Sequence, residues 1–313
     1  MQEIIYNNAG SQRANANPIN KQRQTAGDKV MESDKVKTKI FKNSGPSVTV
    51  VGLGGEGVLR THGRMNEARK VIKEAIDQGI TYFDSARVYS DSEIYYGSIW
   101  HEFPSTRSNI FQASKSAGRY RQEALNDLEQ TLRRMDTDYL DLWQIHDIRT
   151  EKDLEIISGP GGALEAFIEA RSSGKVRFIG VTGHYDPHIL AKAVKDWPVD
   201  AVMMPVNPVE GIIGGFLTST LPTAKDKGIA VIGMKVLGAS HYVELELGIS
   251  PELLLRYALS HDITVAIVGC TTADEVRTLA DVGRSPEPLS DQERIHLIKA
   301  LEPYASRLAF YRK

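Results

Sequence analysis

Between residue 49 and residue 281, short apolar runs alternate with helix-patterned segments, and the alternation repeats eight times. The runs lie near residues 49, 80, 110, 140, 177, 201, 230 and 264. The helical segments span 66–78, 92–101, 121–134, 162–173, 187–195, 216–227, 251–260 and 273–281. Short apolar runs set between helices are the pattern of strands buried on both faces, so the repeat predicts a parallel sheet covered by helices. Eight such units close a (β/α)8 TIM barrel of about 250 residues; an open doubly wound sheet is the structural alternative.

Ahead of the repeat, TKIF and SVTVVGLG are strand-like runs around Asn43-Ser44-Gly45, which predicts an N-terminal β-hairpin. Residues 1–36 are crowded with Asn, Gln, Lys and Asp and lack an apolar core. They cannot bury enough surface to offset chain entropy and read as a disordered polar tail, leaving residues 37–313 as the barrel domain. The same stretch lacks the apolar segment of a signal peptide, and nowhere does the chain approach the roughly 20 apolar residues of a membrane helix. At 41% hydrophobic, 25% charged and a formal charge of -2, it offers no electrostatic basis for nucleic acid or membrane as a partner. The single cysteine, Cys270, cannot form an intrachain disulfide or by itself ligate a metal or an iron-sulfur cluster. The expected setting is a reducing cytoplasm.

Four residues able to carry acid-base chemistry fall at or just beyond the ends of three successive runs. The runs are GITYFD (79–84), NIFQASK (109–115) and YLDLWQIH (139–146); the residues are Asp84, Tyr89, Lys115 and His146. In a (β/α) barrel those strand ends share the rim that holds the active site. Taken singly, each has a structural explanation: a helix cap, a rim aromatic, a solvated lysine, a satisfied strand-end histidine. Gly52, Gly54 and Gly57 in VVGLGGEG have the G-x-G-x-x-G spacing of a dinucleotide fold, but Leu59 to Gly63 read as loop and Asp77 lies inside a helical pattern. A tight turn ending the first barrel strand fits better. His184 and His188 stand four apart, yet the intervening Tyr-Asp-Pro reads as a helix start, so no metal site is expected.

The set GLGG (52–55), GITYFDSARVYSDSE (79–93), ASK (113–115), DYLDLWQIH (138–146), GKVRFIGVTGH (174–184) and IVGCTTADEV (267–276) resembles the aldo-keto reductase superfamily, in its bacterial-type single-domain form, from about Lys37 to about Glu302. The resemblance implies that Asp84, Tyr89, Lys115 and His146 reduce a carbonyl with a nicotinamide cofactor lying across the barrel mouth. The chemistry is consistent with these residue types. A free phenol has a pKa of about 10 and is a weak acid at neutral pH, and a nearby ammonium lowers that value by favouring the phenolate. Lys115 would serve Tyr89 in this way, Asp84 would hold Lys115 charged, and His146 would hydrogen-bond the substrate oxygen.

By the same resemblance, the cofactor positions are Gly54, Gly55, Thr182, Asn207, Met234, Lys235, Gly269, Thr271, Thr272 and Glu275. Several depart from the family pattern. Gly183 replaces an asparagine beside Thr182, Pro205 replaces a glutamine with Asn207 keeping a polar group nearby, and Met234 replaces a tyrosine that stacks on nicotinamide. Lys235 is placed to reach the pyrophosphate. Glu275 occupies the position where members preferring NADP(H) place an arginine; a carboxylate repels a 2'-phosphate but accepts from a ribose hydroxyl, which favours NAD(H). Glu93 and Gly97 match an S-E-x-x-x-G pattern that a helix start and close packing also explain. The loop Asp147 to Gly162, with Arg149, Glu151, Lys152 and Asp153, points to a polar substrate. The expected function is an NAD(P)-dependent oxidoreductase acting on an aldehyde, ketone or sugar; the alternative is a non-catalytic nicotinamide-binding regulatory subunit of the same fold.

Overall fold

The computed structural model describes residues 34–42 and 45–313. Two antiparallel strands, β1 (Thr38–Ile40) and β2 (Ser47–Thr49), precede eight parallel ones: β3 (Val51–Leu53), β4 (Tyr82–Asp84), β5 (Phe111–Ser116), β6 (Leu140–Ile145), β7 (Val176–Thr182), β8 (Ala201–Pro205), β9 (Ala230–Met234) and β10 (Val265–Val268). The eight close into a barrel in sequence order, with β10 pairing back onto β3. The closed barrel therefore holds over the doubly wound alternative.

Helices shield the outer face through a regular apolar stripe. Helix Met65–Asp77 buries Ala68, Val71, Ile72 and Ala75, and helix Ala273–Arg284 buries Val276, Leu279, Ala280 and Gly283. Each set follows the i, i+3, i+4, i+7 spacing of one helical face. Fully burying a side chain such as Val, Ile or Leu contributes about 1.5–3 kcal/mol, so these stripes rather than local propensity hold the helices down. Inside the barrel, Tyr82, Phe111, Ala113, Leu142, Met203, Ile232, Val265 and Ile267 form a separate core. The hairpin closes its N-terminal end, where Phe41 packs 4.5 Å from the Phe111 ring and 5.2 Å from that of Phe178. With one end plugged and the interior filled, the opposite rim is left as the place for a site.

Two expectations need correction. The packed chain starts before residue 37: Val36 is only 6% exposed, contacts the outer core and sits beside Gly283, while the Asp34 carbonyl accepts from Arg284. The rest of the expected tail and the Asn43-Ser44 part of the hairpin turn lie outside the described residues. The supposed loop from Asp147 to Gly162 contains a helix, Glu151–Ser158, started by a reciprocal cap between Thr150 and Asp153. Segment 216–227 is helical as expected, with a π-helix, Phe216–Thr220, running into α-helix Leu221–Asp226.

Candidate active site

The strand ends bring the four acid-base candidates together. Asp84 is the last residue of β4, Lys115 the penultimate one of β5, and His146 follows β6 directly, its N–H donating to the Ser116 carbonyl at 2.9 Å. Asp84 and Lys115 are each 1% exposed and pair at 2.5 Å between Oδ2 and Nζ. Lys115 also donates to the Ser85 carbonyl at 2.7 Å, so two of its three N–H bonds have fixed acceptors. Its Nζ lies 4.8 Å from the centre of the Tyr89 ring, and the Arg60 guanidinium is 4.9 Å from the same ring. His146 approaches edge-on at 5.6 Å between ring centres. Gly55 permits the Tyr89 position, since a Cβ there would stand 2.6 Å from Cδ2 of that ring.

Electrostatics differ from expectation at one point. Burial pushes the Tyr89 phenol well above its ordinary value, the Asp84 and Glu56 carboxylates add to the rise, and Arg60 opposes it. An ammonium beside the ring thus does not produce the lowered phenol pKa expected from the residue types, because desolvation of the phenolate outweighs it. Burial also drives Asp84 up and Lys115 down, and their close pairing opposes both shifts. His146 is pushed well below the usual histidine range by burial and then by the Lys115 charge, which leaves a neutral imidazole at neutral pH.

A cavity of about 640 Å³ opens beside these groups. Its lining includes Asp84 and Tyr89 as well as Thr271, just ahead of helix Ala273–Arg284, and Glu275 and Thr278 on that helix. Gly54, Gly55, Met234, Lys235 and Gly269 also line it. Lys235 holds a left-handed backbone, φ 57°, just past the end of β9. Thr272 caps the helix by accepting from the Glu275 N–H, and the Glu275 carboxylate accepts from the Thr271 N–H at 2.6 Å. Arg277 is turned away and pairs with Glu74 at 3.0 Å and with Asp274.

Two expected cofactor residues also have structural duties. Asn207 is fully buried, caps helix Pro208–Ile213 by accepting from the Glu210 N–H, and donates to the Lys235 carbonyl and the Tyr311 hydroxyl. Thr182 accepts from the Asp147 N–H at 2.8 Å, steadying the backbone next to His146, where Asp147 has φ 55°. His184 uses both ring nitrogens: Nδ1 faces the Tyr311 carbonyl at 2.7 Å and Nε2 faces Asp147 Oδ1 at 3.2 Å. Of the charged loop residues expected to meet substrate, Asp153 pairs with Arg119 and Glu151 with Lys192. Glu56 and Arg60 were missed because they lie on a turn whose glycines dominate its reading. Their signal, an i, i+4 acid-base pair, is common on any surface.

The model of the Aldo/keto reductase family matches residues 50–248. L-galactose dehydrogenase of Arabidopsis thaliana is 26% identical over 308 residues, covering 83% of this chain and 94% of its own. 6-dehydroglucose reductase of Novosphingobium aromaticivorans is 27% identical over 167 residues, and there the match spans 48% of this chain and only 52% of the relative. Among solved structures, an aldo-keto reductase from Klebsiella pneumoniae in complex with NADPH superposes with a TM-score of 0.68 at 21% identity, covering 85% of this chain and 95% of its own.

Proposed function

This chain belongs to the aldo/keto reductase family of carbonyl and alcohol oxidoreductases, and we propose that it interconverts an aldehyde, ketone or sugar carbonyl and the corresponding alcohol with NAD(P)H, using Tyr89 as general acid and base. The observation that carries this reading is the buried Asp84–Lys115 pair set against the face of Tyr89, with His146 at the ring edge, next to a cavity of about 640 Å³ that Asp84 and Tyr89 line. The donor set suits such a ligand. Lys235 offers a charge to a pyrophosphate, Met234 an apolar face to a planar ring, and Gly54, Gly55 and Gly269 leave room for close approach. Thr271, Thr272 and Glu275 stand at a helix N-terminus, which favours the polar nucleoside end. Thr182 keeps a hydroxyl proton to donate to a carboxamide, while Asn207 has its amide already engaged. Bound nicotinamide supplies or accepts the hydride.

The protein moves the proton. In reduction the neutral His146 donates an N–H to the substrate oxygen without competing as an acid, and Tyr89 gives its phenolic proton to that oxygen as negative charge develops. Lys115 stabilises the phenolate left behind, and Asp84 keeps Lys115 charged and fixed. The raised phenol pKa sets the sign of the pH dependence, since the acid form persists through neutral pH. The kcat/KM for reduction is expected to stay flat across neutral pH and fall at alkaline pH, whereas that for alcohol oxidation rises with pH as the phenolate forms. Paired pH profiles on one carbonyl and its alcohol check this; an alkaline rise in reduction would remove Tyr89 as the acid.

Cofactor choice follows from the start of helix Ala273–Arg284. Its carboxylate, Glu275, faces the cavity, and its nearest arginine in sequence, Arg277, is committed to Glu74 and Asp274. We therefore expect NADH to bind more tightly than NADPH in a fluorescence titration, and Glu275→Arg to strengthen NADPH binding by about tenfold, the scale of one charge-assisted contact. Tighter NADPH binding by the unaltered protein would reverse this preference and leave the reductase reading in place.

A further inference from the structure

We infer that Arg134 and Glu93 are positioning residues for the reaction, acting together as a clamp on the turn that carries Tyr89. This rests on the assignment of Tyr89 as the proton donor. Ser90, next to Tyr89, has φ 44°. A left-handed serine is strained and persists only where its surroundings fix it. Backbone bonds from Asp91 to the Thr61 carbonyl and from Ser92 to the Tyr89 carbonyl hold the turn locally, and the side chain that reaches it from outside is Arg134, the last residue of helix Arg121–Arg134, whose Nη2 donates to the Ser90 carbonyl at 2.6 Å.

Arg134 is itself anchored by a carboxylate inside the protein. Its Nε lies 3.1 Å from Glu93 Oε2, an ion-pair contact rather than an aligned hydrogen bond, and Glu93 is fully buried, where desolvation pushes its carboxyl above the ordinary value against the pull of Thr131, Ser114 and Arg134. The other oxygen of Glu93 accepts from Ser114 at 2.9 Å and from Thr131 at 2.7 Å. Ser114 precedes Lys115 on β5, and successive strand residues face opposite ways. Ser114 thus reaches outward to Glu93 while Lys115 reaches inward to Asp84. One buried carboxyl group therefore meets both the strand that delivers Lys115 and the arginine that holds the Tyr89 turn.

Gly97, which shares helix Ser92–Glu102 with Glu93, lets that helix come close enough to helix Arg121–Arg134 for this contact. A Cβ at that position would stand 2.1 Å from the Arg134 carbonyl oxygen. The S-E-x-x-x-G pattern, which by sequence reads equally well as a helix start, here supplies the anchor and the clearance for a distant arginine. A burial role alone would favour an apolar residue at position 93, since an ionised carboxylate costs free energy to desolvate unless its partners are in place.

The experiment labels tyrosine with ¹³C at Cζ and identifies the Tyr89 resonance by its absence in Tyr89→Phe. Arg134→Gln is expected to move or broaden the Tyr89 line and leave the other tyrosine lines in place, with Arg134→Lys showing a smaller displacement. In parallel, with 4-nitrobenzaldehyde and NADH or NADPH, Arg134→Gln is expected to lower kcat by about 10- to 100-fold, the scale of a small misplacement at a reacting centre. Cofactor Kd should hold, and adding Arg134→Gln to Tyr89→Phe should cause no further loss. An unmoved Tyr89 line overturns the clamp whatever the activity, as does displacement of the tyrosine lines generally or an equal loss in both backgrounds. If the unaltered protein reduces no carbonyl, the proposed reaction fails, while the resonances still decide whether Arg134 holds Tyr89. If Arg134→Gln does not fold, Arg134→Lys gives the same comparison.

Discussion

Replacing Tyr89 with phenylalanine is expected to lower kcat for carbonyl reduction by about 10²- to 10⁴-fold, the range for removing a general acid, with little change in cofactor affinity. In free energy this is about 3–5 kcal/mol of transition-state stabilisation. The substitution is clean because it keeps the ring that contacts Lys115, Arg60 and His146 and deletes only the hydroxyl. Steady-state kinetics with a fluorescence titration of cofactor separates the outcomes. A loss confined to kcat supports proton donation; a matching loss of cofactor binding would mean that the ring shapes the cleft; and unchanged turnover would turn attention to the regulatory alternative, in which the fold binds nucleotide without chemistry.

The barrel was legible because its signal is periodic. Each strand is a short apolar run and each helix an apolar stripe, and the eightfold repeat left few ways to close the sheet. The acid-base candidates were legible for a related reason: Asp84 and Lys115 lie at strand ends, His146 follows one, and strand ends in a barrel share one rim. What resisted reading was the use of side chains whose partners are remote. Asn207 looked like a cofactor contact, yet its amide is engaged by Tyr311, 104 positions away. Asp153 looked like a substrate contact and is instead a cap for helix Glu151–Ser158, a signal present in the Thr150–Asp153 spacing. The direction of the Tyr89 shift was not readable either, since composition gives the charges near a phenol but not how much water the fold removes from it.

The largest effect on stability is expected from Lys115→Met. Both members of the Asp84–Lys115 pair are 1% exposed, so removing the ammonium leaves a carboxylate buried without its counter-charge. Breaking a buried pair on one side typically costs about 3–5 kcal/mol, whereas replacing both partners by neutral groups of similar size costs much less. Lys115→Met with Asp84→Asn should therefore regain most of the stability lost by Lys115→Met alone, measured by urea unfolding, while reductase activity remains low in both. The pH dependence gives a second check. Burial already raises Asp84 above its ordinary value of 3.8 in the intact pair, and loss of Lys115 removes the charge that opposes the rise. A carboxyl whose folded pKa lies above its unfolded one favours the fold most when protonated, so the deficit of Lys115→Met should be smallest at acidic pH. It should grow from about pH 4 up to the folded pKa and level off beyond it. A deficit independent of pH, unrelieved by Asp84→Asn, would mean that the loss comes from packing around the lysine chain, and Asp84 would then have no part in holding Lys115 charged.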